Sequence, residues 1–153
     1  MTTQDNEPLP RTDPVPLGSD RILQQIDEMA PEALDELPYG MIQLDSTGRI
    51  LKYNAVESRL ASIAQSDAIG KQFFTEVAPC TRVQEFYGAF KEGVETESLD
   101  TTFQFHFAFK KNPRDVTVRL FYSRRTRTVW VVVSDHEGQA FFRGDGRVLS
   151  EGA

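Results

Sequence analysis

Between residues 103 and 133 the sequence repeats with a period of two, and no other stretch restricts the fold as strongly. Phe103, Phe105, Phe107 and Phe109 alternate with Gln104, His106, Ala108 and Lys110. An extended strand sends successive side chains to opposite faces, so this run presents one apolar face and one polar face. Asn112-Pro113-Arg114-Asp115 then turns the chain, and Val116, Val118, Leu120 and Tyr122 resume the same period. Arg124 to Arg127 form a polar connection to the apolar run 129–133, which suits a strand buried on both faces. Three strands joined by short polar turns predict an antiparallel sheet.

Upstream, Met41-Ile42-Gln43-Leu44 and Ile50-Leu51-Lys52-Tyr53 flank Asp45-Ser46-Thr47-Gly48. This is a hairpin signal, with Gly48 free to take a positive φ. Asn54 is placed to cap a short helix running through Glu57 and Leu60. Val83, Phe86, Tyr87, Phe90 and Val94 form a helical stripe with Gly93 near its end. Before the first strand, Ile22, Leu23, Ile26 and Met29 have helical spacing behind Ser19 or Asp20 as a cap. Pro31 suits the first turn of a second short helix carrying Leu34 and Leu37. Two strands, short helices, a longer helix and three strands predict an α+β fold. Its centre is a five-stranded antiparallel sheet, flanked by short helices and covered by an N-terminal helical cap. The expected divisions are a disordered tail over 1–18, the cap over 19–38, the core over 39–136 and a mobile tail over 137–153. Pattern alone does not order the strands within the sheet.

The chain of 153 residues suits one domain. Its formal charge of −6 argues against nucleic acid as the main partner. No apolar run approaches the length of a membrane span, and the polar, proline-rich start lacks the apolar segment of an export signal. A single cysteine fits a reducing compartment, so a cytoplasmic location is expected, as a monomer or weak homodimer. Two distant histidines and one cysteine do not make a metal site.

Cys80 cannot form an intrachain disulfide, so its thiol is either inert packing or a reactive handle. Taken singly, a free cysteine is more often a small buried hydrophobe, Tyr53 a strand tyrosine with its hydroxyl at the surface, and Glu57 a solvated helix residue. The phenylalanine run reads first as sheet core, and Arg114, Arg119, Arg124, Arg125 and Arg127 as a solvated rim. His106 falls on the polar side of its strand.

Taken together, the motifs resemble the photoactive yellow protein family of PAS-fold blue-light receptors. The resemblance runs from about Ile22 to Val133. It rests on Gly40, Ile42-Gln43-Leu44-Asp45, Tyr53-Asn54-Ala55, Glu57, Ile69-Gly70-Lys71, Val77-Ala78-Pro79-Cys80-Thr81, Glu85-Phe86-Tyr87-Gly88 and Phe90-Lys91-Glu92-Gly93-Val94. It implies a PAS fold, a sensor rather than an enzyme, and 4-hydroxycinnamic acid (p-coumaric acid) joined to Cys80 as a thioester. Tyr53 and Glu57 match the residues that hold the pigment's phenolate, and Phe107 is expected to line its pocket. Ala61 stands where the family commonly has a threonine supporting the tyrosine, and Ile63 where it has an arginine covering the pigment. Phe109 replaces a tyrosine. Lys111 replaces a methionine linked to dark recovery, which predicts slow recovery.

The implied chemistry is physically coherent. Cys80 lies shortly before a helix start, where free N–H groups and the helix dipole favour a thiolate. Glu57 can donate to a phenolate only when protonated, and a neighbouring anion in low-polarity surroundings favours that form. Losing its proton on illumination would leave a buried carboxylate without a partner, and the fold would open to relieve it, starting with the N-terminal helices. The signal is expected to pass to a separate downstream protein. Two other classes of function stand beside this one: a pigment-free PAS module for a small ligand or partner helix, and an enzyme with Cys80 as nucleophile. The enzyme is disfavoured because no histidine is placed as its activating base.

Overall fold

The computed structural model describes residues 20–109 and 113–135. The expected tails, 1–18 and 137–153, and the position of Lys111 lie outside these residues. Five strands form one antiparallel sheet: β1 (Gly40–Leu44), β2 (Ile50–Tyr53), β3 (Asp100–Phe107), β4 (Arg114–Ser123) and β5 (Thr128–Asp135). Their order across the sheet is β2-β1-β5-β4-β3, so the first and last strands lie side by side at the centre. Val129 to Val133 are fully buried, as an apolar run with no polar phase requires. The β1–β2 hairpin turns at Gly48, whose φ is +94°. Asp45 accepts there from the backbone N–H groups of Thr47 and Arg49, the local competition that makes short acidic residues turn formers.

Each face of the sheet carries its own apolar cluster. The larger joins Ile42, Tyr53, Phe73, Phe74, Phe86, Phe90, Phe107, Val118 and Val131, with edge-to-face ring pairs such as Phe86 with Phe105. On that side lie α3 (Ala55–Ala61), α4 (Gln65–Ala68) and α5 (Ala89–Thr96). The other face is covered by α1 (Asp20–Gln25), a tight turn at Ile26–Glu28, and α2 (Pro31–Asp35). Leu23, Ile26 and Leu34 pack there on Met41, Trp130 and Val132. This is the expected cap, but it is more firmly fixed than its sequence suggests. Asp27 accepts from Trp130 Nε1 at 2.9 Å, from Thr126 Oγ1 at 3.2 Å and from Ser123 Oγ, and Glu28 pairs with Arg125.

The structure departs from the sequence reading at three further points. The helical stripe from Val83 divides. Residues Gln84–Gly88 make a wide turn in which Gly88 N–H reaches back five residues to Val83 O, and α5 follows without a break. Val83 is exposed as a result, while Phe86 and Phe90 remain buried. Strand β3 stops at Phe107, so Phe109 leaves the ladder and stacks on the Phe107 ring at 4.9 Å. Finally, Arg114 and Arg119 are not rim residues. Both are drawn into ion pairs, Arg119 with Asp100 at 2.8 Å and Arg114 with Glu57.

Candidate functional site

Tyr53 ends β2 and points its ring into the larger cluster. Asn54, in extended conformation, then starts α3: its side-chain oxygen accepts from Glu57 N–H at 3.0 Å, the N-cap bond expected of asparagine. The cap fixes Glu57 one turn into the helix, against β1. Its carboxyl lies directly over Gly40, where a Cβ would stand 2.2 Å from Glu57 Oε1. Only glycine leaves room for the acid there, which gives a physical reason for Gly40 in the motif.

Across the site, Arg114 opens β4 opposite Phe107 in the ladder. Its Nη2 donates to Glu57 Oε1 at 2.9 Å and to Oε2 at 3.1 Å. The two side chains are 8% and 1% exposed, so the pair is nearly dry and its attraction is little screened. The guanidinium carbon lies 5.4 Å from the centre of the Phe107 ring, within cation–π range. Arg114 was missed by sequence reasoning, yet the signal was present. It is in phase with Val116, Val118 and Leu120, two residues back along the same face. The adjoining Asn112-Pro113 turn masks that phase in the sequence.

The Tyr53 hydroxyl is buried and has no hydrogen-bond partner among the described residues. Burial pushes its ionisation far up from the ordinary phenol value; the Glu57 carboxylate adds to this and the Arg114 cation opposes it. Tyr53 therefore stays an O–H donor, with a proton to give and nothing among the described residues to receive it. Buried hydroxyls are rarely left so, which marks a place built for an acceptor.

Cys80 sits in a single tight turn, Pro79–Thr81, held from beneath by Thr81 Oγ1 donating to Ala78 O at 2.7 Å. Its thiol is free and half-buried, and it packs against the cluster that holds Tyr53 and Phe107. The N–H that reaches Cys80 Sγ is that of Ala108, at 3.5 Å, just past the end of β3, rather than one from the following helix. Ile63 is half-buried against the same cluster, whereas Ala61 is buried in α3 outside it. The structure thus gathers Cys80, Tyr53, Ile63 and Phe107 on one apolar cluster. Glu57 and Arg114 lie at its polar margin. The described residues include no group of three or more potential metal ligands, and no described helix is long and apolar enough to cross a membrane.

The PAS fold family model matches residues 28–136. The photoactive yellow protein of Halochromatium salexigens is 40% identical over 119 residues, covering 78% of this chain and 95% of the relative. That of Rhodothalassium salexigens is 38% identical over the same shares. Among solved structures, the photoactive yellow protein domain of the sensor histidine kinase Ppr from Rhodospirillum centenum is 40% identical, with a TM-score of 0.70. That match covers 73% of this chain and 98% of the domain. With a PAS-fold match over most of the chain and relatives of this similarity along nearly their whole length, the chain belongs to the photoactive yellow proteins, a family of PAS-fold photoreceptors.

Proposed function

We propose that this chain senses blue light through 4-hydroxycinnamic acid held as a thioester on Cys80. The observation that carries the reading is the Tyr53 hydroxyl: buried, protonated and without an acceptor among the described residues, it shares an apolar cluster with the chain's one thiol. The donor set fits a phenolic acid. Cys80 Sγ is the atom that would attack the acyl carbon of an activated 4-hydroxycinnamate, forming the C–S bond as the activating group leaves with the thiol proton. Tyr53 Oη would donate to the phenolic oxygen. Phe107 and Ile63 would exclude water from the ring, and Ala61, beside α3's end, would leave Tyr53 without a threonine to orient it. When bound, the group supplies visible absorption and a double bond that light turns from trans to cis.

Every other part of the mechanism belongs to the chain. Glu57 holds a proton at its carboxyl in the dark and would pass it to the phenolic oxygen after illumination, remaining in place as a carboxylate over Gly40. The change at Glu57 reaches the cap through Asn54, which binds the Glu57 N–H and also donates to Leu34 O and Tyr39 O. The cap then loosens and exposes the sheet face beneath it, and a downstream signalling protein reads that face. A cytoplasmic setting suits a free thiol of this kind.

Adding an activated 4-hydroxycinnamate to the purified protein tests the reading. A stable yellow adduct of one pigment per chain, absent in Cys80→Ala, is expected. No adduct would overturn the proposal in favour of a pigment-free PAS module. Release of the free acid with turnover would overturn it in favour of an enzyme.

A further inference from the structure

The sequence alone predicts that Glu57 becomes a carboxylate without a partner once its proton has gone. The structure contains such a partner. Arg114 Nη2 contacts both carboxyl oxygens, and its own side chain is 8% exposed. It is held there from two sides. The ladder opposes it to Phe107, whose ring lies beneath the guanidinium, and the β4 phase that buries Val116 and Val118 points it inward. Arginine remains charged in any such setting. A buried cation is tolerated only with a matching anion, so the site is built around one permanent positive charge.

We infer that Arg114 is a pigment-site residue of this chain, the counter-ion shared by Glu57 and the phenolic oxygen that Tyr53 awaits. This rests on the pigment reading given above. The argument is one of charge balance. One proton is shared between two acidic oxygens, so the site holds a single negative charge whichever of them carries it. The guanidinium faces that charge in both arrangements. Moving the proton therefore relocates the anion without leaving a buried charge unpaired. Arg114 then limits how far the fold must open after illumination. It also supplies, from β4, the cation that Ile63, two residues past the end of α3, does not supply.

Two measurements test this, the first without any pigment. In unfolding by urea, Glu57→Gln, Arg114→Gln and the double variant form a cycle. A buried pair predicts that the two changes fail to add by about tenfold in the unfolding constant. Additive effects would overturn the inference, since the two side chains would then not interact. In the loaded protein, Arg114→Gln is expected to move dark absorption to longer wavelength, because charge on the phenolic oxygen spreads into the conjugated system when its cation is lost. It is also expected to raise the midpoint of acid bleaching by about one pH unit, a tenfold change in proton affinity. Among the described residues, Tyr53, Glu57 and Arg114 are the ionisable groups that face this point. Light-induced hydrogen exchange in α3 and β1 should increase, and Arg114→Lys should restore part of each effect. A yellow wild type with an Arg114→Gln variant of the same colour, bleaching midpoint and exchange overturns the role of Arg114 alone. A wild type that never turns yellow overturns the pigment reading and this inference together.

Discussion

A buried phenol with nothing to bond among the described residues is a cost carried by the fold, and Tyr53 makes that cost measurable. Leaving a polar group dry and unsatisfied costs about 1–3 kcal/mol. Tyr53→Phe should therefore stabilise the protein purified without pigment, by about 1 kcal/mol in urea melts. An unchanged or lowered midpoint would mean that the hydroxyl is satisfied after all. The same residue sets an alkaline limit. Its ionisation is pushed up from the ordinary value of 10.0, so the folded state keeps the proton longer than the unfolded chain does. That contribution is fully present below the unfolded value and is lost as pH rises above it, by up to about 1.4 kcal/mol per pH unit. Stability measured above pH 10 should fall less steeply in Tyr53→Phe by that slope. Gly40 gives a third test. A methyl group 2.2 Å from Glu57 Oε1 must displace the carboxyl from Arg114, so Gly40→Ala should cost about 1–3 kcal/mol. In combination with Glu57→Ala, most of that cost should disappear, because the clash is with the acid itself.

At the level of elements, Asn54 is the joint between three of them. Its oxygen accepts from Met41 N–H at 2.9 Å and from Glu57 N–H, while its amide donates to Leu34 O at 2.7 Å and Tyr39 O at 3.0 Å. Asn54→Ala removes an N-cap and leaves buried backbone groups of β1 and α2's end without partners. The expected loss is about 2–4 kcal/mol in urea unfolding. A loss under about 1 kcal/mol would reduce Asn54 to an ordinary cap. Its capping role was legible in the sequence because asparagine before a helical stripe has one dominant use. Its bonds to Leu34 and Tyr39 were not legible, since they depend on where the cap docks. The same contrast runs along the chain. Strands β3, β4 and β5 follow from alternation, a property of the backbone itself. The wide turns at Phe73–Val77 and Gln84–Gly88 do not, because their five-residue hydrogen bonds shift the phase of a stripe that otherwise reads as α-helix. Arg114 was hidden by a related effect: charge was read as exposure, whereas strand phase placed it inside.

For the whole molecule, the two faces of the sheet divide the labour, with the site on one and the cap on the other. The chain's one tryptophan, Trp130, lies in the cap cluster and donates to Asp27. Its emission is therefore a probe of the cap and not of the site. Asp27→Ala removes the anchor shared by Ser123, Thr126 and Trp130, and should loosen α1 and the turn after it. The expected readout is longer-wavelength tryptophan emission and faster hydrogen exchange in the cap, with the β3–β4 ladder unaffected. Equal exchange in both regions would show that the cap and the core open as one unit. The sequence indicated that a cap exists, but not that it is bolted to the β4–β5 turn, because those contacts join residues about a hundred positions apart. Distance along the chain has a last consequence. Glu57 and Arg114 meet across 57 positions, and β4 is in place only once it has paired with both β3 and β5. Contacts of that span close late in folding. A growing chain displays its cysteine long before it owns a pocket to put beside it. Under the proposed function, colour is then earned only by finished molecules, and a cell or an experimenter following yellow absorbance counts native protein and not protein made.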